Sequence, residues 1–252
     1  MSTPPLVRST PRDGGGHTAS AVADVGERLR VLIVAGVATG ALVIGAGSRL
    51  VMLLLRLTSP DEVVGVQSDD DFTIGQVTLS GTYNLLLLGA GVGILGAAAY
   101  RLVAPWLIGP RWFRRFTTAA ASGAVVGSML IHADGVDFTL LQPTWLAIGV
   151  FIALPALFGA LIGIAVDSVA SPDSWTARGR VRWVLPVVLL ACFPPTLFLV
   201  PFAILLLLAS YGIRQALPQV APVGVTFAVR AIWLTIAVVG LAALISDIDA
   251  IV

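Results

Sequence analysis

Residues 31–55 read VLIVAGVATGALVIGAGSRLVMLLL. The run carries one charge, Arg49, and no proline. A segment of about 20 apolar residues crosses a hydrocarbon core about 30 Å thick, so this stretch reads as a membrane-spanning helix. Five further windows of the same kind follow, and together the six occupy 31–55, 85–104, 117–133, 144–166, 183–208 and 223–246. They hold only Arg49, Arg101 and Arg230 among the charged residues, and every carboxylate lies outside them. A bilayer demands that segregation, because an ionised group at mid-depth costs several kcal/mol. The expected fold is an all-α polytopic transmembrane bundle of about six spans, over residues 29–252, behind a tail at 1–28.

The whole composition agrees. Of 252 residues, 57% are hydrophobic and 12% charged, against roughly 25% charged in soluble domains. All 15 cationic residues are arginine, and 14 carboxylates bring the net charge to +1. That balance supplies no global field for nucleic acid, and none is expected as a partner. The single cysteine, Cys192, excludes an intramolecular disulfide and any multi-thiolate metal site. Neither a metal nor a cofactor is expected.

Arginine placement predicts orientation, since cytoplasmic connections are enriched in positive residues. Arg8, Arg12, Arg28, Arg30, Arg101, Arg111, Arg114, Arg115, Arg178, Arg180 and Arg182 fall on one side, and Arg56 and Arg214 on the other. Trp106, Trp112, Trp175 and Trp183 flank the same inner boundary and Trp145 the outer one, as aromatic belts do. With six spans both termini are expected in the cytoplasm, the protein lying in the plasma (inner) membrane. The Pro, Gly, Ser and Thr content of residues 1–28 predicts a disordered tail.

The long connection at 57–83 has a pattern of its own. Val63, Val64 and Val66 precede Ser68, Asp69, Asp70 and Asp71, after which Phe72, Ile74, Val77 and Leu79 fall among polar residues. Near-alternation about an Asp-rich turn predicts a small extracellular β-hairpin. Two roles fit it: a cap over the helix ends, or a carboxylate cluster facing a cation or a basic partner. Adjacent aspartates diverge and lack the spacing of a calcium loop, so no metal site is assigned.

The stretch from Arg49, Met52 and Arg56 through Ser59-Pro60, Ser68 to Phe72, Ile74-Gly75, Thr78-Leu79 and Gly81-Thr82 resembles a family of actinobacterial multi-pass membrane proteins. The absence of lysine and the Ala, Gly, Val and Arg bias suit a high-GC genome of that kind. The resemblance implies a multi-pass membrane architecture and transfers no catalytic or binding residue.

Residues unusual for a membrane interior are the remaining candidates. Arg49 and Arg56, seven apart in one helix, and Arg230 in the last span are expected in the outer half, with Asp134, Asp137 and His132 as polar partners from the third connection. Snorkelling or a structural ion pair would explain them; so would a lipid-headgroup or anion site, because arginine presents a planar fork to phosphate. Pro194 and Pro195 should break the fifth helix, and Pro155 kink the fourth. Pairs such as Gly36 and Gly40, Gly89 and Gly93, Gly123 and Gly127, and Gly159 and Gly163 permit close helix contact. No nucleophile, base and orienting group assemble at one depth, so an enzyme is not expected. Two functions remain: a structural or accessory membrane protein binding lipid or another membrane protein, or a transporter or channel for a small or lipid-like solute using the broken fifth helix.

Overall fold

The structure is a computed structural model, and it describes residues 14–63, 65–66, 76–132, 135, 138, 140–216 and 222–251. Its described elements are helical throughout. Helix α1 (Gly14–Thr39) runs through a π-helical segment, Gly40–Ala46, into α2 (Gly47–Thr58). Both joins keep helical backbone angles, with φ and ψ of −68° and −42° at Thr39 and −69° and −36° at Ala46, because no proline or capping side chain stops the chain. Its apolar portion, Ala23–Thr58, is 36 residues long, about 54 Å at 1.5 Å per residue, longer than a bilayer's hydrocarbon core.

Helix α3 (Leu79–Val103) starts where Thr78 Oγ1 accepts a 3.1 Å hydrogen bond from the Gly81 amide, a side-chain N-cap. It returns antiparallel to α1 and α2. A Cβ on Gly36 would lie 2.7 Å from Gly93 O, and one on Gly45 2.7 Å from Leu86 Cα, while Gly40 meets the Gly89 carbonyl. Without side chains at these positions the two backbones touch, which is how apolar helices associate when the surrounding solvent is equally apolar.

Helix α4 (Arg111–Leu130) pairs with α5 (Thr144–Ala170). The paired glycines act here too: Gly123 lies against Ala156 and Ile152, and Gly159 against Ser122 and the Thr118 carbonyl. The central core joins Val31, Leu32 and Val37 of α1 to Ala90 and Ile94 of α3 and Ile162 and Val166 of α5. Helix α6 (Val181–Cys192) then meets a 3₁₀ segment, Pro194–Leu199, and α7 (Val200–Ala216). Last, α8 (Pro222–Ile251) packs chiefly on α4.

Several expectations need correction. Among the described residues, four helical stretches are long and apolar enough to cross a membrane, or five if the bent pair α6 and α7 counts as one, not six. The stretch expected as the third span belongs to α4, which is not among them; its first turns carry Arg111, Arg114 and Arg115 and its body Thr117, Thr118, Ser122 and Ser128. The stretch expected as the fifth is broken where Pro194 and Pro195 were expected to break it, and its axis turns there by 112°. Phe193 has φ of −129° and ψ of 65°, and Pro194 and Pro195 supply no amide donor to continue α6. Pro155, by contrast, sits buried inside a continuous α5.

No hairpin is seen among the described residues. Thr58 ends α2, Asp61–Val63 form a 3₁₀ turn, and Thr78 and Leu79 begin α3; residues 64 and 67–75, including the aspartate run, lie outside the described residues. Helix α1 begins at Gly14, upstream of the boundary expected at 29. Residues 1–13 lie outside the described residues.

Chain direction also differs. Arg230 of α8 meets Trp106 just before α4, Gly240 faces Val125, and Leu244 packs on Gly127 and Ile131, so α8 runs parallel to α4. Six alternating spans would make these two antiparallel. The α6 and α7 pair therefore turns back instead of crossing once, and the two described chain ends lie at opposite ends of the bundle.

Candidate functional site

One end of the bundle gathers the arginines. Arg30 is 1% exposed although charged. Its Nε donates to both Glu27 carboxylate oxygens at 3.1 Å, Nη1 to Thr176 Oγ1 at 2.8 Å and Nη2 to the Val169 carbonyl at 2.9 Å. Arg182 reaches the same carboxylate at 2.9 Å from α6. A buried guanidinium is tolerable only when paired and hydrogen-bonded on every side, and this one is. The cluster fastens α1 to the end of α5 and the start of α6. Reading Arg30 only as a topological marker missed it; the signal was Glu27 at the i,i+3 position, directly before the apolar run.

At the opposite end, Arg49 Nε donates to Thr82 Oγ1 at 3.1 Å and Nη2 to the Thr78 carbonyl at 3.4 Å. Arg49 thus holds the start of α3 against α2. Arg56 is half-buried further along α2 and also engaged. His132 is exposed just past α4, and its carbonyl accepts from the Gly135 amide at 3.1 Å. Asp134 and Asp137 lie outside the described residues.

Arg230 is not at that end. Its Nε donates to the Trp106 carbonyl at 3.1 Å, beyond the last turn of α3. Thr82 and Trp106 are separated by about 36 Å along α3 at helical rise, so Arg49 and Arg230 do not form one cluster. Counting Arg230 into an outer half assumed that α8 descends, whereas it ascends.

Arg230 instead borders a groove of about 440 Å³ formed by the end of α3, by α4 and by α8. Phe113, Phe116, Ala121 and Ala124 form one wall, Leu234 and Leu241 the other, and Trp106 and Trp233 flank the arginine. The lining is almost wholly carbon, with Arg230 and Thr117 as the polar side chains that could orient a ligand. Beside the groove, Arg114 ties the first turns of α4 to the end of α3 by donating to the Ala104 carbonyl. Among the described residues Arg230 makes one hydrogen bond, through Nε, which leaves the terminal nitrogens of its exposed guanidinium available to other acceptors. The volume lies in the range of small-molecule sites.

The helix break forms a third feature. Tyr83 of α3 donates from its hydroxyl to the Cys192 carbonyl at 2.9 Å, and its ring stacks on Phe193 with centroids 6.1 Å apart. Thr196, 2% exposed, closes the turn by donating to the Phe193 carbonyl at 2.7 Å. The carbonyls of Cys192 and Phe193, the last two before the proline pair, are therefore already hydrogen-bonded. Among the described residues no group of three or more His, Cys, Asp or Glu is placed to hold a metal ion.

No family model, curated protein or solved structure matches this chain.

Proposed function

We propose that the chain is a polytopic membrane protein of structural or accessory role that holds membrane lipid in the groove between α4 and α8. The observation that carries this reading is an apolar groove with a single arginine at its mouth, flanked by Trp106 and Trp233. Carbon-lined walls suit a hydrocarbon chain, and a guanidinium fork suits a headgroup oxygen. Tryptophans are the side chains that favour the boundary between the two. The gathering of Arg28, Arg30, Arg111, Arg114, Arg115, Arg178, Arg180 and Arg182 in the sequence's inner connections supports a cytoplasmic assignment for that end and a plasma-membrane location. Membership in the actinobacterial family remains part of this proposal, on the residues quoted for it. The test is gentle purification from native membranes with mass spectrometry of whatever stays bound. Retained lipid supports the reading, and a monomer free of both lipid and partner overturns it.

A second reading, transport of a lipid-like solute, is favoured by the 112° turn at Pro194, since broken helices line many transport paths. Reconstitution into vesicles separates the two: transbilayer movement of a fluorescent phospholipid, followed by dithionite quenching, should match protein-free vesicles if the role is accessory. Faster movement would establish transport.

A further inference from the structure

Resting on the lipid-binding reading, we infer that the groove takes an anionic phospholipid from the leaflet at the arginine-rich end, with its phosphate on the Arg230 guanidinium and one acyl chain between α4 and α8. Three observations converge. The groove follows α4 from Phe113 to Ala124 and α8 from Arg230 to Leu241, about 16 Å along each helix, which is half of a 30 Å hydrocarbon core and so the depth of one leaflet. Its polar mouth is at one end only. Arg230 stands there with Trp106, and Arg111, Arg114 and Arg115 begin the neighbouring helix; Asp167 of α5 acts on the same end of α3 but is outnumbered there by Arg101, Arg114 and Arg115. A zwitterionic headgroup would bring its own cation into this predominantly positive field, while a net negative one is attracted to it.

The guanidinium geometry sharpens the ligand class. Nε is held by the Trp106 carbonyl at 3.1 Å, so the side chain is oriented before a ligand arrives. The two terminal nitrogens can then donate to two oxygens of one phosphate, the bidentate arrangement that lysine cannot reproduce. The arginine acts as a selectivity residue, and the apolar walls supply the retention.

The experiment is retention of lipid by the purified full chain, equilibrated with equal amounts of phosphatidylglycerol and phosphatidylcholine carrying the same acyl chains. Wild type should retain the anionic lipid preferentially. Arg230→Gln should lower that preference about fivefold, the ratio corresponding to one arginine at a lipid surface, while leaving total retained lipid near wild type; Arg230→Lys should recover only part of it. Ala124→Phe, which fills the groove, should reduce retention of both lipids, with thermal unfolding measured alongside. Should Ala124→Phe not fold, Leu234→Ala replaces it, and loss of wall contacts should again lower retention of both lipids. Arg230→Gln with undiminished anionic preference overturns the inference but leaves the lipid-binding reading standing. Wild type retaining neither lipid overturns both. Displacement of the bound lipid by inorganic phosphate alone would also overturn it, because the chain, and not the headgroup, should dominate retention.

Discussion

Arg30 Nη1 donates a 2.8 Å hydrogen bond to Thr176 Oγ1 across 146 positions of sequence, and this contact closes one end of the bundle. The arginine rises from α1 just before its apolar run; the threonine lies in the 3₁₀ turn between α5 and α6 and is itself 3% exposed. Thr176 Oγ1 is also 2.9 Å from Ser174 Oγ. The hydroxyl therefore serves the guanidinium as part of a small network, and Glu27 balances the charge from the adjacent turn.

Removing the balancing carboxylate should cost more than removing the pair. Glu27→Ala leaves Arg30 buried and uncompensated, and the expected loss is about 3 kcal/mol. Replacing both, as Glu27→Gln with Arg30→Met, removes the buried charge and should recover most of that loss. Thermal or denaturant unfolding of the purified chain in one detergent checks it. A double variant no more stable than Glu27→Ala would show that the cluster contributes something other than charge compensation.

Two glycines on helices should respond oppositely. A Cβ on Gly93 would run into the Gly36 carbonyl, whereas one on Gly149 meets nothing within 4 Å. Gly149→Ala removes the helix penalty of glycine, and a gain of up to about 1 kcal/mol is expected. Gly93→Ala must push α1 from α3 and should destabilise by about 2 kcal/mol despite the same propensity gain, within the range for overpacked cores. Equal effects of the two substitutions would contradict the backbone contact.

The break is held by one aromatic residue. Tyr83→Phe keeps the ring against Phe193 but loses the bond to the Cys192 carbonyl, a change of about 1 kcal/mol. Tyr83→Ala should exceed it by losing the stack as well. Alkylation of the native Cys192 thiol, which is exposed, provides a local readout: the rate should rise in the order wild type, Tyr83→Phe, Tyr83→Ala if Tyr83 pins this turn.

Apolar runs and paired glycines made much of this fold legible, because helix length and small-residue spacing are local properties. Gly36 and Gly40 do meet Gly93 and Gly89, as their spacing permitted. Chain direction was not legible, since it depends on whether Pro194 and Pro195 kink a span or reverse it, and the stacking of Tyr83 on Phe193 is a long-range contact. The consequence propagated: an unreversed chain puts Arg230 beside Arg49, whereas the structure sets it beside Trp106. Arg30 was hidden for a different reason, because a basic residue before an apolar segment looks the same whether it marks topology or is buried in a network. The alternating residues before α3 suggested a strand, but Thr78 followed by Leu79 and Gly81 is also a capped helix start, and the cap prevails at the residues described.

The reversal itself predicts which face each end of the bundle presents. In a Cys192→Ser background, single cysteines at Asp173 (Asp173→Cys), Thr58 (Thr58→Cys) and Asp249 (Asp249→Cys) are all at exposed positions. Asp173 lies beside the arginine cluster, where its carbonyl accepts from Arg178 at 3.0 Å. Thr58 ends α2 near Leu55, and Leu55 shares a cluster with Leu244 and with the neighbouring Ile248 and Ile251 of α8. A membrane-impermeant maleimide applied to sealed vesicles of one orientation should therefore label Asp249→Cys together with Thr58→Cys and apart from Asp173→Cys. If α6 and α7 formed one straight crossing, α8 would descend and Asp249→Cys would react with Asp173→Cys. That pairing would refute the parallel arrangement of α4 and α8, and with it the placement of Arg230 beside Trp106.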